Sequence, residues 1–340
     1  MQTFKVLMAD PPSPTYLQWM RDLLPEGLDL IAPETADDGA LLDLVREADS
    51  LVCRRRAIGR EVIRAGKKLK LIQTFGMTRE NVDLSAAKEA GIPVAGMPLA
   101  GCMVVADLAM TLLLALSKNL LRAHQATVNA EYQSQGLEPK LTSERSHAFQ
   151  WMQIPMVEVF VKTLGIVGLG EIGTEMAKRA RAFKMMVLYH KRRRLSEEAE
   201  RELGIVYRSL EDLLRESDFV SLNVPHTEGT DKLIGQRELA LMKPSAFLIN
   251  TSRGGVVDED ALYKALANKA IAGAGLDVFR EEPLPASSPL LKLDNVILTP
   301  HIGGGSGEPN LYKEIRDVLA NVARLARGEE PQYILQSEKR

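Results

Sequence analysis

The sequence has few cysteines and few aromatic residues. Only two cysteines occur in 340 residues, Cys53 and Cys102, and both stand in apolar surroundings. Two such residues do not make the disulfide framework of a secreted scaffold, so we expect buried free thiols and a reducing, cytoplasmic location. Cysteine and histidine show no metal-ligand spacing, so no metal is expected. Aromatic residues make up 5% of the chain, which leaves few rings to stack on nucleic-acid bases.

A strong net charge and a long hydrophobic run are also missing. The net charge of −2 gives no general attraction to nucleic acid or to an anionic membrane. The first residues, MQTFKVLMAD, begin a strand pattern and lack the regions of a signal peptide. The longest apolar stretch, residues 103–116, contains Asp107 and is shorter than a bilayer-spanning helix. We therefore expect neither nucleic acid nor a membrane among the partners.

The most informative stretch that is present is TLGIVGLGEIG, which begins at Thr163. An apolar run of strand length leads into Gly168, Gly170 and Gly173, and a helical pattern follows from Glu171. In a G-x-G-x-x-G turn the first glycine makes the tight turn and the second lets a pyrophosphate approach the backbone. The third lets the helix pack on the strand. The pattern predicts dinucleotide binding at the helix N-terminus, against the alternative of an ordinary glycine-rich turn.

Apolar runs of strand length alternate with helical patterns along the chain. This alternation is typical of parallel sheets covered by helices on both faces, and 340 residues with 45% apolar content suit two such domains. We interpret the irregular residues 132–161 as an arm between domains and a candidate for crossing a dimer. The predicted strands are residues 4–9, 50–53, 70–74, 93–95, 163–167, 185–189, 218–223, 246–250, 274–277 and 295–298. The last predicted helix, residues 308–327, is expected to pack on the N-terminal domain.

Five motifs resemble, in order, those of the D-2-hydroxyacid dehydrogenases: TLGIVGLGEIG, SDFVSLNVPHTEGT, FLINTSRGGVVDEDAL, AGAGLDVFREEPLP and NVILTPHIGGGS. Weaker likeness extends over residues 81–98. The resemblance implies a flavodoxin-like substrate domain, residues 1–101 and 301–340, into which a Rossmann dinucleotide-binding domain, residues 102–300, is inserted. It also implies a homodimer and an NAD(P)-dependent reductase of small 2-keto acids, similar to the glyoxylate and hydroxypyruvate reductases.

The same resemblance implies a catalytic set of Arg253, Glu282 and His301. Reduction of a 2-keto acid builds charge on the carbonyl oxygen and needs a proton near neutral pH, which histidine is suited to supply. A neighbouring carboxylate stabilises the charged imidazole and orients it. The planar fork of arginine matches the carboxylate and carbonyl oxygens of the substrate. Glu281 is the nearest rival to Glu282, but the family pattern places the acid immediately before the proline.

Further residues are assigned to the cofactor and substrate by the resemblance. For the cofactor these are the backbone of Glu171 and Ile172, the loops at Pro225 and Thr251, Asp277 at the carboxamide, and Gly304; the alternative for Asp277 is a local role at a strand end. Met77 and Thr78 would present backbone N–H groups to the substrate carboxylate, although many family members have glycine in place of Thr78. Arg54 and Arg56 either bind a second acidic group or, as we favour, are solvated. The histidines expected at surface or loop positions are His124, His147, His190 and His226.

The turn after the second strand of the dinucleotide motif is basic. In NAD-binding units this turn carries an acidic residue that holds the ribose 2′-hydroxyl. Here it has no carboxylate, and its cations would pair with a 2′-phosphate. We therefore predict a preference for NADP(H), with NAD(H) as a substitute, and assign His190 and Arg192 to cofactor binding. The alternative is a solvated basic turn. The turn reads His190, Lys191, Arg192, Arg193 and Arg194.

Two other functions remain open from the sequence. A phosphite-type dehydrogenase uses a similar set of arginine, glutamate and histidine, and a phosphite-dependent rate would distinguish it. A nucleotide-sensing scaffold, similar to the transcriptional corepressors that resemble this family, would not turn over simple keto acids. The intact catalytic set argues against a purely non-enzymatic scaffold.

Overall fold

The computed structural model describes residues 3–77, 81–139, 151–304 and 310–335. The chain divides into two compact units. The terminal unit is made of residues 1–102 and 305–340, and the central unit is the continuous segment 103–304. Arg253, Glu282 and His301 therefore all belong to the central unit. Thr78 and part of the predicted arm, residues 140–150, lie outside the described residues.

The terminal unit is built on five parallel strands: Phe4–Met8 (β1), Leu28–Ile31 (β2), Ser50–Cys53 (β3), Leu71–Thr74 (β4) and Val94–Ala95 (β5). Their order in the sheet is β2-β1-β3-β4-β5, which is the flavodoxin-like order that the resemblance implies. Strands β3 and β4 are buried along their whole length, as expected of the middle of a sheet covered on both faces. Strand β2 is absent from the strands predicted above, because it is a short edge strand interrupted by the exposed Asp29.

The helices of the terminal unit are Pro14–Asp22 (α1), Asp38–Val45 (α2), Arg60–Ala65 (α3), Leu84–Glu89 (α4) and, from the end of the chain, Asn310–Ala326 (α12). Ser13, Asp37 and Asp83 cap α1, α2 and α4, since each side chain accepts a backbone N–H from the first turn. Helix α12 covers the sheet, as the sequence analysis expected. Asn321 on its buried face donates to Gln73 Oε1 of β4 at 2.7 Å. The fully buried residues of α12 are Ile315, Val318, Leu319 and Val322.

The central unit contains seven parallel strands: Thr163–Val167 (β6), Met186–His190 (β7), Val206–Tyr207 (β8), Phe219–Leu222 (β9), Phe247–Asn250 (β10), Gly273–Leu276 (β11) and Val296–Leu298 (β12). Their order is β12-β11-β10-β9-β6-β7-β8. This is the Rossmann order with one added strand. Successive strands are added on one side of β6 up to β8 and on the other side from β9 onwards, so the strand order reverses between β6 and β9. About six strands were expected; the missed one, β8, has two residues and lies at the sheet edge.

Two cores lie on opposite faces of the central sheet. The helices of this unit are Ala100–Ser117 (α5), Leu120–Val128 (α6), Glu171–Ala182 (α7), Glu197–Leu203 (α8), Leu210–Glu216 (α9), Gln236–Leu241 (α10) and Glu259–Ala267 (α11), the first of which starts at the unit boundary. Helices α9, α10 and α11 pack on strand side chains of one face, and α5 and α7 pack on the other. The segments that follow the strands therefore meet at the carboxyl edge of the sheet.

One described helix, α5, is long and apolar enough to cross a membrane by length and composition alone. The apolar run of residues 103–116 is shorter than a bilayer-spanning helix, but the helix that contains it extends over 18 residues. A core helix of a globular domain passes the same test. In this protein a third of α5 is buried, and Ala109, Met110 and Leu113 lie in the core that also contains α7.

Candidate active site

The three glycines of the G-x-G-x-x-G turn differ in backbone conformation and in the space around them. Gly168 follows β6 with φ of +92°, in the left-handed region that favours glycine. A Cβ atom on Gly173 would collide with the carbonyl oxygen of Gly168, so this glycine lets α7 pack against the turn. A Cβ atom on Gly170 would meet nothing within 4 Å. Gly170 therefore borders open space in which another molecule can approach the backbone.

Two further features bear on ligand binding at the carboxyl edge of the sheet, one at the start of α7 and one beyond β10. Helix α7 has 12 residues and begins after Gly170, which provides no side-chain cap. Its N-terminal end thus favours an anion, as the N–H groups and the helix dipole predict. Beyond β10, the buried hydroxyl of Thr251 has no hydrogen-bond partner among the described residues. An open glycine turn, an uncapped helix and an orphaned hydroxyl at the carboxyl edge fit a dinucleotide.

The basic turn after β7 is only partly free to bind a ligand. Arg194 is committed to Glu200, to which its Nε and Nη2 donate at 2.8 Å each. His190 Nδ1 lies 3.1 Å from the carbonyl oxygen of Arg208; since a carbonyl only accepts, Nδ1 carries the proton and Nε2 is left for other contacts. Arg192 and Arg193 are exposed, and no hydrogen bond or ion pair joins their side chains to other residues within the described ranges.

Arg253 lies in the turn that follows β10. The Nδ2 group of Asn250 donates to its carbonyl oxygen at 3.0 Å, and its own Nη1 donates to the carbonyl of Ser252 at 2.6 Å. Gly254 packs so closely against the backbone of Phe279 that a Cβ atom there would overlap it. These contacts fix the turn, while the guanidinium keeps most of its five donors for another partner.

Glu282 and His301 form a hydrogen-bonded pair. Nδ1 of His301 lies 2.6 Å from Oε2 of Glu282, and Oε1 accepts the backbone N–H of Phe279 at 3.0 Å. Partial burial acts to raise the pKa of Glu282, but the hydrogen bonds from His301 and Phe279 and the charges of His301 and Arg253 outweigh it. The pKa of Glu282 therefore lies below its usual value. The pair holds His301 with Nδ1 occupied and Nε2 available for proton transfer.

Arg253, Glu282 and His301 line one cavity of about 620 Å³ within the central unit. The same cavity is lined by His226, which the sequence analysis regarded only as a surface or loop residue. His226 is exposed, as expected, but it forms a second imidazole–carboxylate pair: its Nε2 lies 2.8 Å from Oδ1 of Asp231. The sequence contained one sign that His226 lies near the site, since it immediately follows Pro225, a predicted cofactor contact.

Asp277 is almost completely buried and fully engaged within the protein. Its Oδ1 accepts the hydroxyl of Thr299 at 2.6 Å and the N–H of Ile302 at 2.9 Å, and its Oδ2 accepts the N–H of Gly303 at 2.8 Å. These bonds support the alternative in which Asp277 acts locally, since they anchor the loop that carries His301. The assignment of Asp277 to the cofactor carboxamide stays a prediction.

In the terminal unit, Arg56 differs from both expectations. Its side chain is 13% exposed and is bonded to the carbonyls of Ala9, Ala36 and Asp37 and to Asp38, so it is not solvated and its donors are engaged within the protein. The reason is that α2 and the end of β1 surround it with acceptors. The described residues include no hydrogen-bond partner for the side chain of Arg54, so the question of a second acidic group concerns Arg54 alone. Met77 is exposed at the edge of the described loop.

Cysteine provides no metal site or crosslink in the described part of the chain. Cys53 is buried as expected, whereas Cys102 is only partly buried, and no disulfide joins the described residues. Within the same residues, no group of three or more histidine, cysteine, aspartate and glutamate side chains is placed to hold a metal ion.

The glycine turn provides a matched pair of substitutions. We expect Gly173→Ala to destabilise the central unit by about 1–3 kcal/mol, because its methyl group meets a fixed carbonyl. Gly170→Ala adds the same methyl group in open space, so the thermal unfolding midpoint should stay at the wild-type value. Its affinity for dinucleotide should nevertheless fall at least about tenfold, because the backbone approach is blocked. Calorimetric unfolding and cofactor titration of both variants test this; wild-type cofactor affinity in Gly170→Ala would contradict it.

Comparison with known proteins agrees with this geometry. A family model described as D-isomer specific 2-hydroxyacid dehydrogenase, NAD binding domain, matches residues 110–303. The chain is 41% identical over 308 residues to the glyoxylate reductase of Thermococcus litoralis, which covers 90% of this chain and 89% of that protein. It is 37% identical over 282 residues to the hydroxypyruvate reductase of Thermotoga maritima, which covers 82% and 85% of the two chains.

A solved structure is similar over the whole length. The crystal structure of a glyoxylate reductase from Paecilomyes thermophila matches with a TM-score of 0.56 and 29% identity, and the match covers 100% of both chains. Sequence similarity, strand order and the motif residues gathered in the central unit agree. The chain belongs to the D-isomer specific 2-hydroxyacid dehydrogenase family, and its central unit is the NAD-binding domain of that family.

Proposed function

We propose that this protein is an NADP(H)-preferring reductase of small 2-keto acids, of which glyoxylate and hydroxypyruvate are the first candidates. The observation that carries the proposal is the 2.6 Å pair between His301 and Glu282 in the wall of the cavity that also contains Arg253. The names of the relatives, glyoxylate reductase and hydroxypyruvate reductase, support a small keto acid as substrate. In the reverse direction the same groups would oxidise a D-2-hydroxy acid.

The proposed chemistry assigns one task to each side chain. Arg253 binds the carboxylate and carbonyl oxygens of the keto acid through its planar fork, so its charge faces the oxygen on which negative charge develops. His301 gives the proton on Nε2 to that oxygen, because Nδ1 is held by Glu282. Glu282 stabilises the charged imidazole and fixes its ring. When bound, the reduced nicotinamide supplies the hydride. In the oxidative direction His301 accepts the proton.

The preference for NADP(H) rests on the basic turn. Its residues include no carboxylate to hold a ribose 2′-hydroxyl, and Arg192 and Arg193 are exposed without ion-pair partners among the described residues. A 2′-phosphate at this place would form charge-assisted hydrogen bonds with Arg192, and the imidazole of His190 would lie beside it. NAD(H) lacks that phosphate and is proposed as the slower alternative. Gly168, Gly170, Glu171, Ile172 and Gly173 would hold the pyrophosphate, and Pro225, Thr251 and Gly304 the ribose and nicotinamide end.

We also propose that the protein is a cytoplasmic homodimer that associates through the central unit. Leu121 and Val128 of α6 are more than half exposed, as are Met156 and Phe160. The N–H of Val157 donates to the carbonyl oxygen of Ser117, the last residue of α5, at 2.6 Å. The segment that contains Met156 and Phe160 therefore passes close to the start of α6. Exposed apolar surface of this kind marks an association site. A second copy of the chain is the proposed occupant, with the predicted arm as the crossing segment.

The pH dependence of keto-acid reduction tests the assigned pair. Because the pKa of Glu282 lies below its usual value, the carboxylate stays charged through mildly acidic pH and protonates only in stronger acid. Wild-type activity should therefore keep the contribution of this carboxylate until the pH falls below the usual range of a glutamate, where Glu282 protonates. This acid-side fall should be absent in Glu282→Gln, which has no carboxylate to protonate. His301→Ala should lower kcat about 100- to 10,000-fold. An unchanged pH profile in Glu282→Gln would refute the assignment.

Substitution of the basic turn tests the cofactor preference. Arg192→Ala should raise the KM for NADPH about ten- to hundredfold, because a charge-assisted hydrogen bond to the 2′-phosphate is lost, and should leave the KM for NADH unchanged. Arg215→Ala, which removes an exposed arginine from α9, is the matched control. Initial rates with glyoxylate, hydroxypyruvate and phosphite measure cofactor and substrate selectivity together. Equal efficiencies with NADPH and NADH in the wild type would refute the preference.

Sedimentation velocity tests the dimer. The wild type should sediment as a dimer at micromolar concentration, whereas Val128→Glu should sediment as a monomer because it places a charge on the apolar face of α6. Val206→Glu introduces the same charge at an exposed apolar residue of β8 and should stay dimeric. A wild-type monomer would count decisively against the proposed association.

A further inference from the structure

A cluster of polar and aromatic side chains lies directly beneath the basic turn. Tyr189, the fully buried penultimate residue of β7, donates its hydroxyl proton to Oε1 of Glu200 at 2.8 Å. The same hydroxyl accepts the backbone N–H of Leu195 at 2.9 Å. Arg194 completes the cluster with its two-pronged contact to Glu200. The strand end, the far end of the turn and α8 are therefore tied together at one phenolic oxygen and one carboxylate.

Aromatic contacts hold the turn from a second side. Tyr207 of β8 packs edge-on against Tyr189 with ring centroids 5.5 Å apart, and its ring lies 6.1 Å from that of His190. The guanidinium carbon of Arg194 lies 5.6 Å from the centre of the Tyr207 ring. The two ends of the turn, His190 and Arg194, thus rest on the same aromatic residue.

The charges of the cluster are balanced internally. The hydrogen bonds from Arg194, opposed by partial burial and aided by Tyr189, lower the pKa of Glu200 to about 2. The same contact raises the pKa of Arg194. Arg194 is therefore neutralised by Glu200 and is not available to an outside anion. Arg192 and Arg193, which precede it, keep their charges facing solvent.

We propose that Tyr189, Glu200 and Arg194 are positioning residues that set selectivity for the 2′-phosphorylated cofactor. They order the backbone of the turn before the cofactor arrives, so that Arg192 and His190 meet the phosphate without a further ordering cost. None of the three is assigned a contact with the phosphate. The inference rests on the proposed NADP(H) preference and deepens it, because it assigns the selectivity to a buried cluster as well as to exposed cations.

Kinetics with both cofactors separate positioning from a general structural role. Tyr189→Phe keeps the ring but removes the hydroxyl that binds Glu200 and Leu195. It should raise the KM for NADPH about fivefold or more and change the KM and kcat with NADH less than twofold. Glu200→Gln should act in the same direction. A cluster that only stabilises the fold would alter both cofactors alike. Phe219→Leu, a buried substitution in β9, provides that comparison.

A double-mutant cycle tests whether the cluster acts through Arg192. Combined with Arg192→Ala, Tyr189→Phe should have little further effect on the KM for NADPH, since the group it positions is already absent. Additive effects of the two substitutions would overturn the inference. Equal losses with NADPH and NADH in Tyr189→Phe would overturn it as well. If Tyr189→Phe does not fold, Arg194→Gln takes its place in the cycle.

The outcomes also distinguish this inference from the function on which it rests. A wild-type enzyme without NADPH preference, unaffected by Arg192→Ala, would refute the cofactor proposal and the positioning role together. A wild type that prefers NADPH and depends on Arg192, but whose selectivity is unchanged in Tyr189→Phe and Glu200→Gln, would refute the positioning role alone.

Discussion

The position of the proposed acid–base depends on one buried carboxylate. Asp277 stands one residue beyond β11 and accepts three hydrogen bonds from Thr299, Ile302 and Gly303. His301 lies between these anchor points with φ of +55°, a left-handed conformation that costs a residue other than glycine about 1 kcal/mol or more. The backbone keeps this conformation because it is fixed on both sides. The imidazole is then presented to Glu282 without freedom to turn away.

The parallel sheet brings the remaining parts of the site to the same edge. The glycine turn follows β6, the basic turn follows β7, and the turn of Arg253 follows β10. Since all strands run in the same direction, segments far apart in sequence leave the sheet on one side. Close packing, such as that of Gly254 on the backbone of Phe279, then sets their spacing. The cavity results from loops held on a rigid sheet, a common arrangement for a ligand site.

The glycine turn and the central strands could be predicted from the sequence because each has a local signal. The glycine spacing requires particular backbone geometry, and the inner strands form continuous apolar runs. The edge strands β2 and β8 gave no such signal, since they are short and partly exposed. The hydrogen bonds of Arg56 and Arg194 could not be predicted from the sequence, because each depends on acceptors that the fold brings beside the side chain. Composition indicates how many cations a segment has, but only the fold decides which of them are already paired.

The division of the terminal unit into two chain segments affects how the protein is made. Helix α12 covers the sheet formed by the first hundred residues, Asn321 pairs with Gln73, and the N–H of Leu335 donates to Val94 at 2.7 Å beside the edge strand β5. A ribosome must therefore synthesise the entire central unit before the first strands can complete their core. The central unit, a continuous segment, can fold as soon as it emerges. During translation the N-terminal strands therefore keep apolar surface exposed until helix α12, near the end of the chain, has been synthesised.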